Sequence, residues 1–258
     1  KDIYNKRTMA FKHGPIYPGI ADGLVFAVDP ANPKSWVGPT SDKVNNLVSY
    51  NFTTGSIYND TSGSYGDNES FAFDSISDYI GSFPYSVYGQ HTNFTLMFWC
   101  RFNEWKTSSY QQLFSEYIWV ANYNDRIGVD VYNSSGDNYD KNGGFNDGTV
   151  MTVPSGLQED SWFNVAICFN GDESSGTGQV QMYLTGSLSV DTSVSFSSGV
   201  ANLGIPSGNN RYEIGRRSQT GGSNHLNGQI GPILFYNRAL SAGEVLQNYN
   251  RVKSRFGL

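Results

Sequence analysis

The sequence predicts an all-β protein: two antiparallel sheets packed face to face, preceded by an extended N-terminal arm and followed by one C-terminal helix. Short segments rich in aromatic and β-branched residues alternate with turns rich in Gly, Asn and Ser, and roughly ten to fourteen such segments indicate a two-sheet sandwich. The composition agrees, because the 258 residues include 29 Gly, 17 Tyr and 16 Phe while only 16% are charged. We divide the chain into an arm, residues 1–20, and a sandwich domain, residues 21–258.

The strand segments can be placed in chain order. They are residues 24–29, 70–74, 78–83, 94–102, 111–120, 126–132, 161–170, 179–186, 211–215 and 227–236. Between the first two lies DPANPKSWVGPTSDK, whose prolines exclude regular structure. No repeat of the solenoid or propeller kind is present, so one domain is expected.

The C-terminal helix is predicted over residues 241–255. Ser241 is followed three residues later by Glu244, the spacing of a capping box. Apolar residues then fall on one face, so the helix should lie against the sandwich: Val245, Leu246, Tyr249 and Val252. Basic residues suit its C-terminal end, and Gly257 stands where a helix ends.

The two cysteines are predicted to remain free thiols. Side chains alternate between the faces of a strand, so Cys100 shares a face with Phe98, whereas Cys168 lies opposite Ile167. If both apolar sets face the core, the thiols point to different sides and a disulfide would require backbone movement. Free thiols favour assembly in a reducing cytoplasm.

The N-terminal arm is basic in an otherwise acidic protein. Its cations are Lys1, Lys6, Arg7 and Lys12, joined by His13 when that residue is charged. We interpret the arm as an anchor to another surface, the alternative being a terminus that packs along its own domain. The net charge of −6 and the pI near 5.0 argue against nucleic acid as a partner.

The sequence gives no sign of membrane insertion. It contains no apolar run of the length that crosses a bilayer, and residues 1–20 lack the apolar core of a signal peptide. We expect a protein that is soluble or carried on a particle. Because the chain starts at Lys1 rather than Met, it is either a processed product or part of something longer.

The order of these segments resembles the concanavalin A-like lectin/glucanase superfamily, in its laminin G-like form. The matching stretches are SFAFDSISDYI, NFTLMFWCRF, SWFNVAICFNG, QVQMYLTG, YEIGRR and NGQIGPILFYNRALSAGEVLQNYN. The resemblance implies a jelly-roll sandwich closed by a strand, the words YNRALS and a short helix. Pentraxins, which are related, join the strands corresponding to FTLM and VAIC by a disulfide, but Met97 occupies the first of those positions here.

A narrower resemblance lies at the two ends of the chain. The stretches MAFKHGP, DGLVFAVDPANPKSW and NYNRVKSRFGL are similar to laminin G-like modules in virion structural proteins of marine tailed phages. This resemblance implies a virion surface protein, assembled in the host cytoplasm, that is displayed in many copies or as a homo-oligomer. Its partners would be other capsid or tail proteins.

A catalytic role is not predicted. Glucanases of this fold carry their acids as E-x-D-x-E on one strand, and glycoside hydrolysis requires two carboxylates flanking the bond. Here the candidate acids Glu116, Asp130 and Glu213 each stand alone in their segments. The histidines His13, His91 and His225 are scattered, with no nucleophile motif beside them.

One loop has the alternating oxygen ligands of a calcium site. In GDNYDKNGGFNDG the candidate ligands are Asn138, Asp140, Asn142 and Asp147. The pattern is incomplete, because its twelfth position is Thr149, which cannot supply a bidentate carboxylate. The alternative is a solvated hairpin tip, and no cofactor is required by the predicted function.

A carbohydrate site would need an exposed aromatic ring beside amide, carboxylate or guanidinium groups. The densest such cluster is Tyr117, Trp119, Tyr123, Asn124, Asp125 and Arg126. The alternative is that its aromatic residues belong to the core. The sequence therefore supports a non-enzymatic virion surface protein, a capsid decoration or fibre component with weak adhesion to a host glycan. A free lectin module is the second hypothesis and a glycoside hydrolase the third.

Overall fold

The all-β prediction is confirmed. The computed structural model describes residues 19–37, 43–48, 54–58, 65–66, 70–84, 91–106, 110–114, 118–123, 126–131, 149–152, 158–172, 174–195, 211–216 and 224–258. Within these ranges the chain forms two antiparallel eight-stranded sheets and one α-helix. The sheets form the sandwich, and the helix lies on the outside of one of them.

The first sheet contains the long central strands. Its members are β1 (Leu24–Val28), β4 (Tyr65–Gly66), β5 (Ser70–Asp74), β7 (Asn93–Phe102), β12 (Phe163–Asp172), β13 (Thr177–Leu184), β14 (Ser187–Ser195) and β16 (Asn227–Tyr236). The order across the sheet is β14-β13-β12-β7-β16-β5-β4, and β1 also pairs with β16.

The second sheet is built from shorter strands. These are β2 (Lys43–Asn45), β3 (Thr54–Tyr58), β6 (Tyr79–Pro84), β8 (Gln111–Phe114), β9 (Ile118–Tyr123), β10 (Arg126–Val131), β11 (Thr149–Thr152) and β15 (Arg211–Ile214). The order is β11-β10-β9-β8-β15-β6-β3-β2. The chain thus passes repeatedly between the two sheets, which brings residues far apart in sequence to the same end of the sandwich.

The first sheet is apolar on both faces. In β7, Leu96, Phe98 and Cys100 face the core between the sheets, while Met97 and Trp99 face outwards, and all five are buried. A strand that is apolar on both faces must be covered on both sides. The second sheet covers the inner face, and the C-terminal helix covers the outer one.

The capping box predicted at Ser241 is confirmed. The Glu244 backbone N–H donates to the Ser241 hydroxyl, the Glu244 carboxylate accepts from the Ser241 N–H, and α1 runs over Ala242–Val252. A 3-10 turn, Lys253–Phe256, follows and ends at Gly257, whose φ of 77° is left-handed.

The buried face of α1 differs from the prediction at one position. Val245 and Val252 are buried, but Leu246 is 45% exposed and Asn248 is only 2% exposed. The face is centred on positions 245, 248 and 252, one helical turn apart, and Leu246 lies about 100° away from Val245. An apolar pattern cannot identify Asn248, because its burial depends on hydrogen bonds to distant residues.

Aromatic rings hold the end of the helix on the sheet. The Phe256 ring lies 4.3 Å from that of Trp99 and 4.5 Å from that of Trp162, between centroids. The Tyr249 ring also stacks on the Trp99 ring, with 5.6 Å between their centroids. The close approach requires Gly231, since a Cβ there would lie 2.8 Å from the Phe256 ring.

The strand predicted over residues 111–120 is wrong as a single element. It comprises β8 and β9, which pair with each other in antiparallel register, Gln111 opposite Asn122. The register shifts between Gln112 and Phe114, which marks a bulge. Phe114, Ile118 and Val120 alternate as they would on one continuous strand and all lie in the core, so periodicity could not reveal the break between β8 and β9. The prediction also omitted β2, β3, β4, β11 and β14.

The predicted separation of the cysteines is confirmed. Both are free and buried, Cys100 in the core between the sheets and Cys168 on the outer face beneath the helix. Burial raises the pKa of Cys100 well above its ordinary range and that of Cys168 to about 11. Both thiols are therefore protonated and unreactive at neutral pH.

Replacing Phe256 by Ala should lower the free energy of unfolding by about 3–5 kcal/mol, because the change removes a ring packed between two tryptophans. Urea unfolding of the purified variant measures this loss. Leu258→Ala is the matched control, since Leu258 is 49% exposed two residues later. Equal effects of both substitutions would show that the ring contacts do not hold the helix.

Candidate functional site

A ring of hydrogen bonds joins the start of the described chain to the helix. The Ile20 N–H donates to the Asn248 side-chain oxygen at 3.1 Å, Asn248 Nδ2 donates to the Tyr236 hydroxyl at 2.9 Å, and that hydroxyl donates to the Ile20 carbonyl at 3.0 Å. We call these three residues the terminal clasp. It satisfies the buried Asn248 and fixes Ile20, near the start of the described chain, against the helix.

Charged groups reinforce the terminal clasp. Arg238 makes two hydrogen bonds to the Glu244 carboxylate, at 2.7 and 3.0 Å, and also contacts Asp22 at 3.0 Å. The bonds from Arg238, followed by those from Ser241, lower the pKa of Glu244 from 4.5 to about 2 against the opposing effect of burial. The Glu244 carboxylate therefore caps the helix and holds Arg238, which in turn contacts Asp22 in the segment that enters β1.

A buried ion pair connects the last helical turn to the first strand. Arg255 Nη1 lies 2.7 Å from Asp29 Oδ1, and the Asp29 side chain is only 3% exposed. Beside it, a cavity of about 20 Å³ lies under the helix, lined mainly by apolar groups such as Met97, Trp99 and Val252. It has room for about one water molecule, so it is too small for a sugar.

The opposite end of β16 carries a second polar group of residues. Strand β16 runs from Asn227 to Tyr236, so its ends are about 30 Å apart at the usual rise of a strand. Asn227 pairs with Asp74 at the end of β5, and Gly228 pairs with Phe102 at the end of β7. The connections that follow β5 and β7 therefore meet at this end, far from the terminal clasp.

Four polar residues at this end form what we call the Glu104 network: Glu104, Lys106, Gln111 and Asn227. Glu104 Oε1 accepts from Asn227 Nδ2 at 2.9 Å and contacts Lys106 Nζ at 2.5 Å. Gln111 joins the two sheets, because its Nε2 donates to the Glu104 carbonyl and its Oε1 accepts from the Asn227 N–H, both at 2.8 Å. The hydrogen bonds from Lys106 and then Asn227 lower the pKa of Glu104, so its carboxylate is charged.

Trp105 lies between the two charged residues of the Glu104 network. Its ring is partly buried against Phe102 at 5.0 Å and against Phe163 at 6.2 Å, between centroids. Its backbone N–H donates to Glu159 Oε1 at 2.8 Å. Ring and backbone contacts together fix an aromatic residue among amide, carboxylate and ammonium groups, the combination used to bind sugars.

The structure distributes the predicted carbohydrate cluster along one hairpin. Tyr123 pairs with Arg126 in the β9–β10 register, whereas Trp119 pairs with Asp130. Trp119 and Tyr123 are therefore four residues apart on one strand, about 13 Å. Tyr117, Asn124 and Asp125 lie outside the described residues. Tyr123, which pairs with Arg126, follows Asn122, the register partner of Gln111, so these two residues lie close in the sheet to the strand position of Gln111.

Two other predicted sites fall outside the described residues: the calcium ligands Asn138, Asp140, Asn142 and Asp147, and the anchoring residues Lys1, Lys6, Arg7 and Lys12. Both stay predictions. Within the ranges given above, no group of three His, Cys, Asp or Glu side chains could hold a metal ion. In the same ranges, no helix has the length and apolar character needed to cross a membrane.

Glu213, one of the candidate acids, is held in an ion pair. Arg216 binds its two carboxylate oxygens at 2.8 and 2.9 Å, and the guanidinium lies 3.2 Å from the centre of the Tyr79 ring. Both carboxylate oxygens of Glu213 are therefore engaged in this ion pair. Asp130 is described only through its backbone pairing with Trp119, and Glu116 lies outside the described residues.

Sequence reasoning missed the Glu104 network. Glu104, Lys106 and Gln111 lie within eight residues, but Asn227 is more than a hundred residues away, so no local motif contains all four. A signal was present nonetheless: Gln111 and Asn227 are polar residues at the first positions of β8 and β16. Only the pairing of the strands shows that these positions meet.

The family of the chain follows from comparison. Residues 74–246 match a family model described as the concanavalin A-like lectin/glucanases superfamily. The match covers more than half of the chain, and the protein belongs to this family. The resemblance to this superfamily noted in the sequence is thereby confirmed. No curated protein sequence gives a significant match.

Solved structures with the same fold include receptor-binding domains of botulinum neurotoxins. The receptor-binding domain of type G has a TM-score of 0.56 at 14% identity, covering 89% of this chain and 51% of that chain. The binding domain of serotype D/C has a TM-score of 0.60 at 11% identity, covering 88% and 52%. The receptor-binding domain of the C/D mosaic has a TM-score of 0.57 at 12% identity, covering 90% and 52%. The chain spans about half the length of these proteins, and the likeness is one of fold.

The ion pair at Glu244 should make the free energy of unfolding depend on pH. Its folded pKa is about 2 against an ordinary 4.5, so the contribution of the charged form is complete above pH 4.5 and is lost as the pH falls towards 2. Thermal unfolding between pH 6 and pH 2 should show a smaller loss of stability in Glu244→Gln than in the original protein. Parallel curves for the two proteins would contradict a stabilising role for the charge.

Proposed function

We propose that this protein is a non-enzymatic recognition domain on the surface of a tailed-phage virion, a capsid decoration or fibre component that adheres to host-surface glycans. The observation that carries the proposal is the arrangement of β16, whose two ends bear different polar groups. The terminal clasp holds Ile20, the last residue of the basic arm, at one end, and the Glu104 network lies about 30 Å away at the other. Attachment and recognition can therefore operate without competing for one surface.

Recognition is supported by the family and by the character of the Glu104 network. Proteins named as lectins belong to this superfamily, and solved structures of the same fold are named as receptor-binding domains. A non-enzymatic role is supported by the ion pair of Glu213 and by the missing E-x-D-x-E sequence. Calcium at Asn138, Asp140, Asn142 and Asp147 is the one metal that the sequence pattern would admit, and adhesion as proposed does not require it.

The virion setting is supported by the sequence at the two ends of the chain and by the basic arm. In this setting the arm docks on capsid or tail proteins, and the domain is present in many copies or as a homo-oligomer. A single glycan site of this size binds weakly, with a Kd of about 1 mM, but multivalent display can strengthen binding by about 10² to 10⁴. A weak site would therefore suffice on a particle.

A free lectin module is the alternative, and it is favoured by the family alone. Mass spectrometry of purified virions separates the two. Hundreds of copies relative to the major capsid protein would indicate decoration, and a few copies would indicate a tail or vertex fibre. Absence from virions, combined with glycan binding by the purified protein, would establish the lectin and reject the virion role.

Reversing charges in the arm should release the protein from particles. The triple variant Lys6→Glu, Arg7→Glu, Lys12→Glu is expected to lose binding to virions that lack the protein, measured by cosedimentation, because it replaces three cations with anions. The matched control is Lys34→Glu together with Lys43→Glu, two cations in the domain rather than the arm. Retained binding by the arm variant would reject the arm as the anchor.

A further inference from the structure

We propose that the Glu104 network is a metal-independent binding site for neutral, polyhydroxylated ligands such as an uncharged pyranose, with Trp105 as its aromatic wall. The inference rests on the proposed recognition function and names the site at which recognition occurs. It differs from the sequence-based cluster, since none of the four network residues nor Trp105 belongs to that cluster.

The Glu104 network offers both donors and acceptors to a ligand. The Glu104 side chain is 40% exposed and the Lys106 side chain 30% exposed. An ammonium has three N–H donors and a carboxylate about four acceptor positions, so the contacts to Asn227 and between the two charged groups leave capacity for a ligand. A sugar hydroxyl both donates and accepts, and it is held best by such a mixed set.

The balance of charge favours a neutral ligand. Lys106 neutralises Glu104 at 2.5 Å, and Arg101 is matched by Asp160 at 2.8 Å nearby. Glu159, which binds the Trp105 backbone, adds one further carboxylate. A sialylated or sulfated sugar would therefore meet a site with no surplus positive charge. A cation would have to displace Lys106 from the Glu104 oxygen that Lys106 contacts.

The Glu104 network is preorganised. Gln111 is fully buried and ties the connection after β7 to the start of β16, so Glu104 and Asn227 are fixed relative to each other. The Trp105 ring packs against Phe102 on β7 and Phe163 on β12, two strands that pair with each other. Groups that are already positioned lose little entropy when a ligand binds, which is needed where affinity per site is low.

An unpaired buried amide lies one register position from the Glu104 network. Asn122 pairs with Gln111 across the strands, its side chain is fully buried, and neither its Oδ1 nor its Nδ2 has a hydrogen-bond partner. A buried amide left unpaired is unfavourable, so it is seldom retained without a reason. Its position opposite Gln111 places an unpaired donor and acceptor beside the residue that holds the Glu104 network together.

The test is a glycan array carrying neutral, sialylated and sulfated oligosaccharides, probed with the full chain in the presence of EDTA. The strongest neutral glycan is then titrated by calorimetry against Glu104→Ala, Lys106→Ala and Asn227→Ala. The matched control is Asp191→Ala, because Asp191 is an exposed carboxylate that accepts from two amides, Gln179 at 2.6 Å and Gln181 at 3.0 Å, on another part of the sandwich. Thermal unfolding confirms that each variant is folded. Glu104→Gln replaces Glu104→Ala if that variant does not fold.

We expect binding to neutral glycans in EDTA, weakened about tenfold or more by each network substitution and unchanged by Asp191→Ala. Neutral-glycan binding that survives Glu104→Ala, or binding confined to acidic glycans, overturns the inference but leaves the recognition function standing. Binding abolished by EDTA also overturns it. If no glycan binds while the protein is found on virions, the site fails and the structural role remains; if neither is found, both proposals fail.

Discussion

The outer face of the first sheet is the constraint on which the rest of the structure depends. Strands β7, β12 and β16 are apolar on both faces, so the sandwich alone would leave Met97, Trp99 and Tyr236 in contact with water. Exposing such a surface would be unfavourable by about 25 cal/mol for each Å². The C-terminal helix removes it, and the position of that helix then determines where both described termini lie.

Much of this could be predicted from local sequence. The alternation in FTLMFWCRF places Phe98 and Cys100 on one face and Met97 and Trp99 on the other, and the Ser241–Glu244 spacing locates the start of the helix. Each of these predictions depends only on the geometry of a single strand or helical turn. They are confirmed because tertiary packing in this protein agrees with the local preference.

What could not be predicted depends on pairing between distant segments. The break between β8 and β9 leaves Phe114, Ile118 and Val120 at the spacing of a single strand, so residues 111–120 read as one strand. Asn248 is polar yet buried, since its partners Ile20 and Tyr236 come from the other end of the chain and from β16. The Glu104 network is hidden for the same reason. Its hydrogen bonds cross from one sheet to the other, and sequence patterns carry no information about that crossing.

The charged groups at the two ends of β16 differ in how they are paired and in how far they are exposed. Near the helix, Arg238 binds Glu244 through two hydrogen bonds, and Arg255 pairs with the buried Asp29. Both ion pairs stabilise the fold and are unavailable to a ligand. In the Glu104 network the charged groups are partly exposed and each retains hydrogen-bonding capacity. Since the protein as a whole carries a net charge of −6, an acidic ligand would approach against its field, whereas a neutral one would not. The Glu104 network therefore presents hydrogen-bonding groups rather than net charge at the opposite end of β16.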